Sequence, residues 1–98
     1  MVKEVRWPLK VQQQLEKAYN YVLADSFQNA EKLKNDILFS TRKLSVNPER
    51  YPLDKYRTGN DGTFRAYELY HYRISYRILQ NEIVIVRIRH TSMKPAKY

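Results

Sequence analysis

The sequence predicts an α+β domain made of a short strand, an antiparallel helical hairpin and then a three-stranded antiparallel meander. Two observations predict it. Apolar residues recur every three or four positions between residues 8 and 44, the period of a helix with one buried face, and every second position after residue 63, the period of a strand. Helices and strands that are segregated along a chain are typical of α+β folds. A chain of 98 residues is expected to form one domain over residues 1–98.

The N-terminal region is predicted to contain a strand and a helix. The segment 2–7 ends in β-forming residues, which favours a short opening strand. Pro8 suits the first helical position, where its missing N–H costs no hydrogen bond. The helix should extend to about residue 24, because its apolar residues lie on one face. These residues are Val11, Leu15, Ala18, Val22 and Leu23.

A second helix is predicted from the capping residues that follow the first. Asp25 or Ser26 can accept hydrogen bonds from the free N–H groups of a first turn, and Gln28 stands three residues after Asp25, as in a capping box. The helix should end before Asn47-Pro48, because the residue before proline disfavours the helical conformation. The short turn between the helices makes them antiparallel. The second apolar stripe comprises Ala30, Leu33, Ile37, Thr41 and Leu44.

Residues 45–63 are predicted to form a long loop before the sheet. Both glycines of the chain and several asparagine, aspartate and proline residues are concentrated here, and these are turn-forming residues. Tyr51, Leu53 and Tyr56 are spaced among them. We expect these three side chains to pin the loop to the body of the protein.

Three strands are predicted after the loop. The first covers residues 64–69, and the second places Tyr72, Ile74, Tyr76 and Ile78 on one face. Residues 79–82 indicate a two-residue hairpin connection, in which Asn81 tolerates a positive φ. A tail from residue 91 to residue 98 shows no clear periodicity.

The alternation in the last strand, residues 83–89, predicts which of its side chains face outward. Alternation assigns Val84, Val86 and Ile88 to the face that packs on the helices. The opposite face of the sheet would then be basic with an apolar patch, and a partner could bind there. Its predicted members are Arg73, Arg77, Ile83, Ile85, Arg87 and Arg89.

The amino-acid composition indicates which kinds of partner, metal site and location to expect. The net charge is +8, and residues 64–98 contain seven basic and two acidic side chains, which favours an acidic or polyanionic partner. The chain has no cysteine and its two histidines lie far apart, so we expect no metal and no cofactor. No signal peptide or membrane span is apparent, and a cytoplasmic location is expected.

The C-terminal residues FRAYELYHYRISYRILQNEIVIVRIRHTSMKP resemble the sheet of RelE/ParE toxins of type II toxin-antitoxin systems. The shared pattern is an arginine shortly before an aromatic-Arg-apolar-x-Tyr strand, a hairpin, an Ile/Val-rich strand and an R-x-x-H or similar ending. The helical hairpin and the segment NPERYP are similar to ParE-like members, so the resemblance covers almost the whole chain. It implies a toxin that is neutralised by a cognate antitoxin.

The superfamily contains ribosome-dependent mRNA endonucleases, as in RelE, and inhibitors of DNA gyrase, as in ParE. If the protein is a nuclease, the resemblance implies that Arg73 contacts the scissile phosphate and that His90 is an acid or base. The strand lysines of the nucleases are replaced by Phe64 and Ala66, and an arginine past the last strand is replaced by Ser92 or Met93. Gyrase is therefore the favoured target, with ribosome and mRNA as the alternative and an antitoxin-binding module without toxicity as a third possibility.

The residues expected to bind the target or the antitoxin also have structural alternatives. Arg65 and Arg73 could instead pair with Glu68 or with a loop carboxylate, and His90 could be a structural histidine at the edge of the core. In family members, the antitoxin wraps a C-terminal segment, often acidic and amphipathic, around the toxin. The predicted binding residues are Arg65, Arg77, Ile83, Ile85, Arg87 and Arg89.

Overall fold

The computed structural model of the protein describes residues 2–92 and confirms the predicted α+β class. Its elements are β1 (Glu4–Arg6), α1 (Leu9–Leu23), α2 (Phe27–Lys43), β2 (Phe64–Leu69), β3 (Tyr72–Ile78) and β4 (Glu82–His90). The strands form one sheet in the order β1-β4-β3-β2. The opening strand joins this sheet parallel to β4, so the predicted meander becomes part of a four-stranded mixed sheet. Residues 93–98, which include most of the predicted tail, lie outside the described residues.

The two helices cover one face of the sheet with the predicted apolar stripes. Both stripes contribute to a single core, although Val22 is only partly buried and Leu23 is 40% exposed. Pro8 is the N-cap of α1 rather than its first helical residue, because its ψ of 152° is extended. Buried residues of the helical layer are Val11, Leu15, Ala18, Ala30, Leu33, Ile37, Thr41 and Leu44.

Ser26 is the N-cap of α2, in preference to Asp25. Its hydroxyl oxygen accepts a hydrogen bond from the Asn29 N–H at 3.1 Å. We expect Ser26→Ala to lower the free energy of unfolding by about 1 kcal/mol, because that N–H loses its acceptor. Asp25→Ala is the matched control in the same turn. Equal losses in the two variants, measured by urea unfolding, would contradict the assignment of the cap.

The face assignment predicted for the last strand is wrong for Ile83 and Ile85, which are fully buried in the core. The cause is a β-bulge: Ser75 lies opposite Arg87, but Tyr76 lies opposite Ile85, so Val86 is an extra residue on β4. A bulge adds one residue and reverses the alternation beyond it. Ile83 and Ile85 therefore share the helix-facing side with Ile88, three residues further on.

The two hairpin turns also differ from the prediction. Among the described non-glycine residues, only Tyr70 and His71 have positive φ, at 51° and 65°. These residues connect β2 to β3, and two positive φ values are typical of the tight turns that match strand twist. Asn81 does not have a positive φ, although the Leu79 N–H donates to the Glu82 carbonyl at 2.9 Å across the predicted turn.

The loop 45–63 is held against the edge of the sheet. The Asp54 N–H donates to the Phe64 carbonyl at 2.9 Å, so the loop covers the edge of β2 with backbone hydrogen bonds. Tyr51 stacks on Tyr67 with 4.0 Å between ring centroids, as a pinning side chain should. Leu53 does not act in this way, because its side chain is half exposed.

Tyr76 lies in the centre of the core, where its hydroxyl donates to the Pro48 carbonyl at 2.5 Å. Burial raises the pKa of Tyr76 from its ordinary 10.0 to about 12. The folded protein therefore keeps this proton where the unfolded chain releases it. Its contribution to stability is complete below pH 10 and is lost as the pH rises through 12.

We expect Tyr76→Phe to reduce the loss of stability at alkaline pH. The variant begins about 1 kcal/mol less stable because one hydrogen bond is gone, but its stability should decline less steeply above pH 10. Urea midpoints of both proteins at a series of alkaline pH values provide the measurement. A decline as steep as that of the wild type would show that Tyr76 does not contribute. Tyr67, whose pKa burial also raises, accounts for part of the remaining slope.

Candidate functional site

The outward surface of β3 and β4 contains four arginines, here called the arginine face: Arg73, Arg77, Arg87 and Arg89. Arg73 lies directly opposite Arg89, and Arg87 lies opposite Ser75. The prediction that these four side chains share one face is confirmed by the strand register. Like charges that are directly opposite on one face destabilise a sheet, so this surface favours anionic groups.

Arg73 is held by acidic residues in the middle of this face. One guanidinium nitrogen lies 3.0 Å from Asp54 Oδ1, and another lies 3.6 Å from Glu68 Oε2. The Asp54 side chain is fully buried, whereas that of Glu68 is 58% exposed. The guanidinium also lies 4.7 Å from the centre of the Tyr56 ring. Arg73 therefore fastens the loop to the sheet, which is the structural alternative considered from the sequence.

Arg77 has a similar arrangement nearer the end of β3. Its Nε donates to the Thr63 hydroxyl at 3.0 Å, and its terminal nitrogen lies 3.4 Å from Asp61. Hydrogen bonds from Thr63, with a smaller effect of Arg77, hold the pKa of Asp61 below its ordinary value. The guanidinium packs on the Phe64 ring at 4.7 Å from its centre. Arg77 thus bonds to the second half of the loop.

Arg65 does not belong to the arginine face. It lies opposite Tyr76, whose side chain is in the core. Its guanidinium donates to the Tyr51 carbonyl at 2.6 Å. Arg65 therefore holds the beginning of the loop, and the structure separates it from Arg77, Arg87 and Arg89, with which the sequence grouped it as a binding residue.

His90 lies on the side of the sheet opposite to Arg73. It pairs with Tyr72 in the register, and the two rings form an edge contact with centroids 5.0 Å apart. His90 Nδ1 accepts a hydrogen bond from the Ser92 N–H at 3.0 Å, so the neutral ring has its proton on Nε2. The structure does not bring together the two residues that a nuclease would use, Arg73 and His90.

Phe64 and Ala66, which the resemblance matches to lysines of nuclease members, are buried. Phe64 is 7% exposed and Ala66 is 3% exposed. Both are on the side of the sheet that contains the arginine face, since they lie opposite Arg77 and Ser75. Arg57 of the loop covers the Phe64 ring, with its guanidinium 3.8 Å from the ring centre. These side chains seal the loop against the sheet.

Much of the exposed apolar surface lies on the helices and at their ends, which the sequence reasoning missed. Since Ile83 and Ile85 are buried, the arginine face lacks the apolar patch predicted for it. Several large apolar residues of the helices and their ends are instead at least half exposed. The sequence could have indicated this exposure, because these residues lie outside the two apolar stripes that were assigned to the core. They are Leu9, Tyr21, Phe27, Phe39 and Val46.

Comparison with known proteins identifies the family. Residues 5–95 match the family described as ParE toxin of type II toxin-antitoxin system, parDE. The fold is similar to a chain of a solved structure titled "Chromosomal ParDE TA system from P. aeruginosa", with a TM-score of 0.70, 22% sequence identity and coverage of 91% of this chain and 96% of that chain. No match was found among curated proteins. Within residues 2–92, no helix has both the length and the apolar character that crossing a membrane requires. This chain belongs to the ParE toxin family of type II toxin-antitoxin systems.

Proposed function

We propose that the protein is a toxin that inhibits DNA gyrase by binding to it, and that a cognate antitoxin neutralises it. Membership of the ParE family supports the toxin role. The ion pair between Arg73 and the buried Asp54 favours an inhibitor over a nuclease. An arginine that is needed to compensate a buried carboxylate is poorly suited to move onto a scissile phosphate.

The chemistry of RNA cleavage supports the same choice. Attack by a ribose 2′-OH needs a base, cations that stabilise the developing negative charge, and an acid for the leaving oxygen. In the described part of the chain, Arg73 and His90 face opposite sides of the sheet. The resemblance matches the buried Phe64 and Ala66 to the lysines of nuclease members. Inhibition by binding requires none of these groups.

The arginine face is the surface proposed to contact gyrase. Arg87 and Arg89 of β4 are partly exposed, and the chain has a net charge of +8. Guanidinium groups bind carboxylates and phosphates in a bidentate manner, which suits an acidic protein surface. For the antitoxin, an acidic amphipathic segment would match the positive charge and the exposed apolar residues of the helices, such as Phe27 and Phe39.

Supercoiling by purified gyrase, measured beside mRNA cleavage on translating ribosomes, tests this function. We expect the wild-type protein to inhibit supercoiling and to leave mRNA intact. Arg87→Gln/Arg89→Gln should weaken the inhibition at least about tenfold, because two charged contacts each contribute on the order of 1 kcal/mol or more. The matched control, Lys10→Gln/Lys43→Gln, removes the same charge from exposed helical positions. Thermal unfolding of each variant shows whether the fold is intact.

The remaining outcomes separate the alternative functions. Codon-positioned mRNA cuts that disappear in His90→Ala would replace the proposed function with that of a RelE-type nuclease. A protein that acts on neither target but binds the antitoxin encoded beside it would be a module that has lost its toxicity. A double arginine variant that inhibits gyrase as strongly as the wild type would remove the arginine face from the proposed contact.

A further inference from the structure

A cleft between α1 and β4 has the features of a ligand site, and it shares only Arg87 and Arg89 with the arginine face. β1 pairs only with residues 82–84 of β4, so the following part of that strand lies beside α1 instead. Gln14 of α1 accepts a hydrogen bond from the Ile88 N–H at 2.8 Å and joins the two elements. The volume of the cleft is about 470 Å³, which falls within the range of small-molecule sites.

One helical face and one strand end form the walls of this cleft. Gln14, Lys17, Ala18 and Tyr21 follow the spacing of a single face of α1, and Tyr72 and His90 come from the sheet. Tyr21 is 72% exposed, so its ring is available at the mouth, whereas Tyr72 is only 7% exposed and lies deeper. The cleft therefore offers aromatic surfaces at two depths.

The polar groups of the cleft are cations and hydrogen-bond donors. Lys17, Arg87 and Arg89 are among the lining residues, and within residues 2–92 no aspartate or glutamate lines the cleft. Burial, with a smaller effect of Tyr21, raises the pKa of Tyr72. His90 Nδ1 accepts a hydrogen bond from the Ser92 N–H, which leaves Nε2 as the donor nitrogen of the ring. Aromatic rings beside cations are the combination with which proteins bind nucleotides.

We propose that the cleft between α1 and β4 binds a nucleotide, with the base on the tyrosine rings and the phosphate on Lys17 and the arginines of β4. The same chemistry is offered by a free purine nucleotide and by one nucleotide of a single strand. Arg87 and Arg89 belong both to this cleft and to the arginine face, whereas Lys17 and Tyr21 belong to α1 and to the cleft alone. Variants at Lys17 and Tyr21 therefore test nucleotide binding separately from gyrase inhibition.

Calorimetric titration of the full chain with ATP, inorganic pyrophosphate and a short adenine oligonucleotide tests the proposal. We expect saturable binding of ATP at one site and weaker binding of pyrophosphate, which has no base. Lys17→Gln/Tyr21→Ala should raise the Kd for ATP at least about fivefold, the lower limit for loss of one base stack. Lys10→Gln/Phe39→Ala removes the same charge and an exposed ring elsewhere and should leave the Kd unchanged. Both variants alter exposed residues, so both should fold.

The source of the ligand follows from the ranking of the probes. Tighter binding of the oligonucleotide indicates a nucleic-acid strand, and tighter binding of ATP indicates a free nucleotide. NMR titration should show the largest shift changes at the backbone amides of Gln14, Ala18 and Ser92. The proposal is overturned by an absence of saturable ATP binding, by pyrophosphate binding as tight as that of ATP, or by an equal loss of affinity in the control variant.

Discussion

Asp54→Ala is expected to lower the free energy of unfolding by about 3–5 kcal/mol, because it removes one partner of a buried ion pair. Asp54 is fully buried and lies 3.0 Å from the Arg73 guanidinium. It also accepts a hydrogen bond from the Tyr56 N–H at 3.0 Å, so its loss frees one end of the loop. The variant leaves Arg73 mostly buried, with the exposed Glu68 as its remaining ion-pair partner among residues 2–92. Urea unfolding, supported by thermal unfolding, measures the loss.

Glu68→Gln is the matched control, because it removes the other carboxylate that contacts Arg73. The Glu68 side chain is 58% exposed, and exposed ion pairs contribute about 1 kcal/mol or less. The difference between the two variants therefore measures the buried ion pair together with the hydrogen bond from the Tyr56 N–H. Equal effects of Asp54→Ala and Glu68→Gln would show that the buried pair does not hold the loop. The structural role assigned to Arg73, and with it the argument against a nuclease, would then be wrong.

Ile85→Ala is expected to destabilise the protein by about 2–5 kcal/mol, because it opens a cavity in a core that cannot fully collapse. Ile85 is fully buried and lies opposite Tyr76 at the centre of the sheet. Val86 is the additional residue of the bulge and is only partly buried. Val86→Ala should therefore cost about 1 kcal/mol or less. Denaturant unfolding of the two single variants compares adjacent positions of one strand.

The ranking of these two variants tests the bulge directly. Strict alternation along β4 would place Val86 in the core and Ile85 on the outer face, and the larger loss would then belong to Val86→Ala. Such a result would restore Ile85 to the partner-binding surface. If Ile85→Ala is the more damaging change, the apolar part of that surface must be sought on the helices, where Phe27 and Phe39 are exposed.

The local pattern of the sequence was sufficient for the helices and for the class of fold. The stripes of α1 and α2 extend over several turns, so a single atypical residue does not change the face they indicate. Thr41 and Leu44 were assigned to the core in this way and are buried. The alternation in β3 was equally informative, since Tyr72, Ile74 and Tyr76 face the helices together. These features depend on residues that are close in sequence, and the physical period of each element determines them.

The candidate site depended on features that no local pattern contains. Alternation correctly placed Arg73, Arg77, Arg87 and Arg89 on one face, but it could not show that Arg73 is paired with Asp54. That pairing depends on the path of the loop, because the sequence left Glu68, Asp54 and Asp61 open as partners of Arg73. The positions of the exposed apolar residues on the helices became clear only once the two layers were packed together.

The sequence by itself determined the order of the elements, the buried faces of the helices, the basic charge and the resemblance to RelE/ParE toxins. The tertiary structure decided the parallel pairing of β1 with β4, the burial of Ile83 and Ile85, and the separation of Arg73 from His90. The physical reason is the same in each case. Hydrophobic period is a property of neighbouring residues, whereas strand partners, a one-residue bulge and the choice of an ion-pair partner depend on contacts between distant parts of the chain.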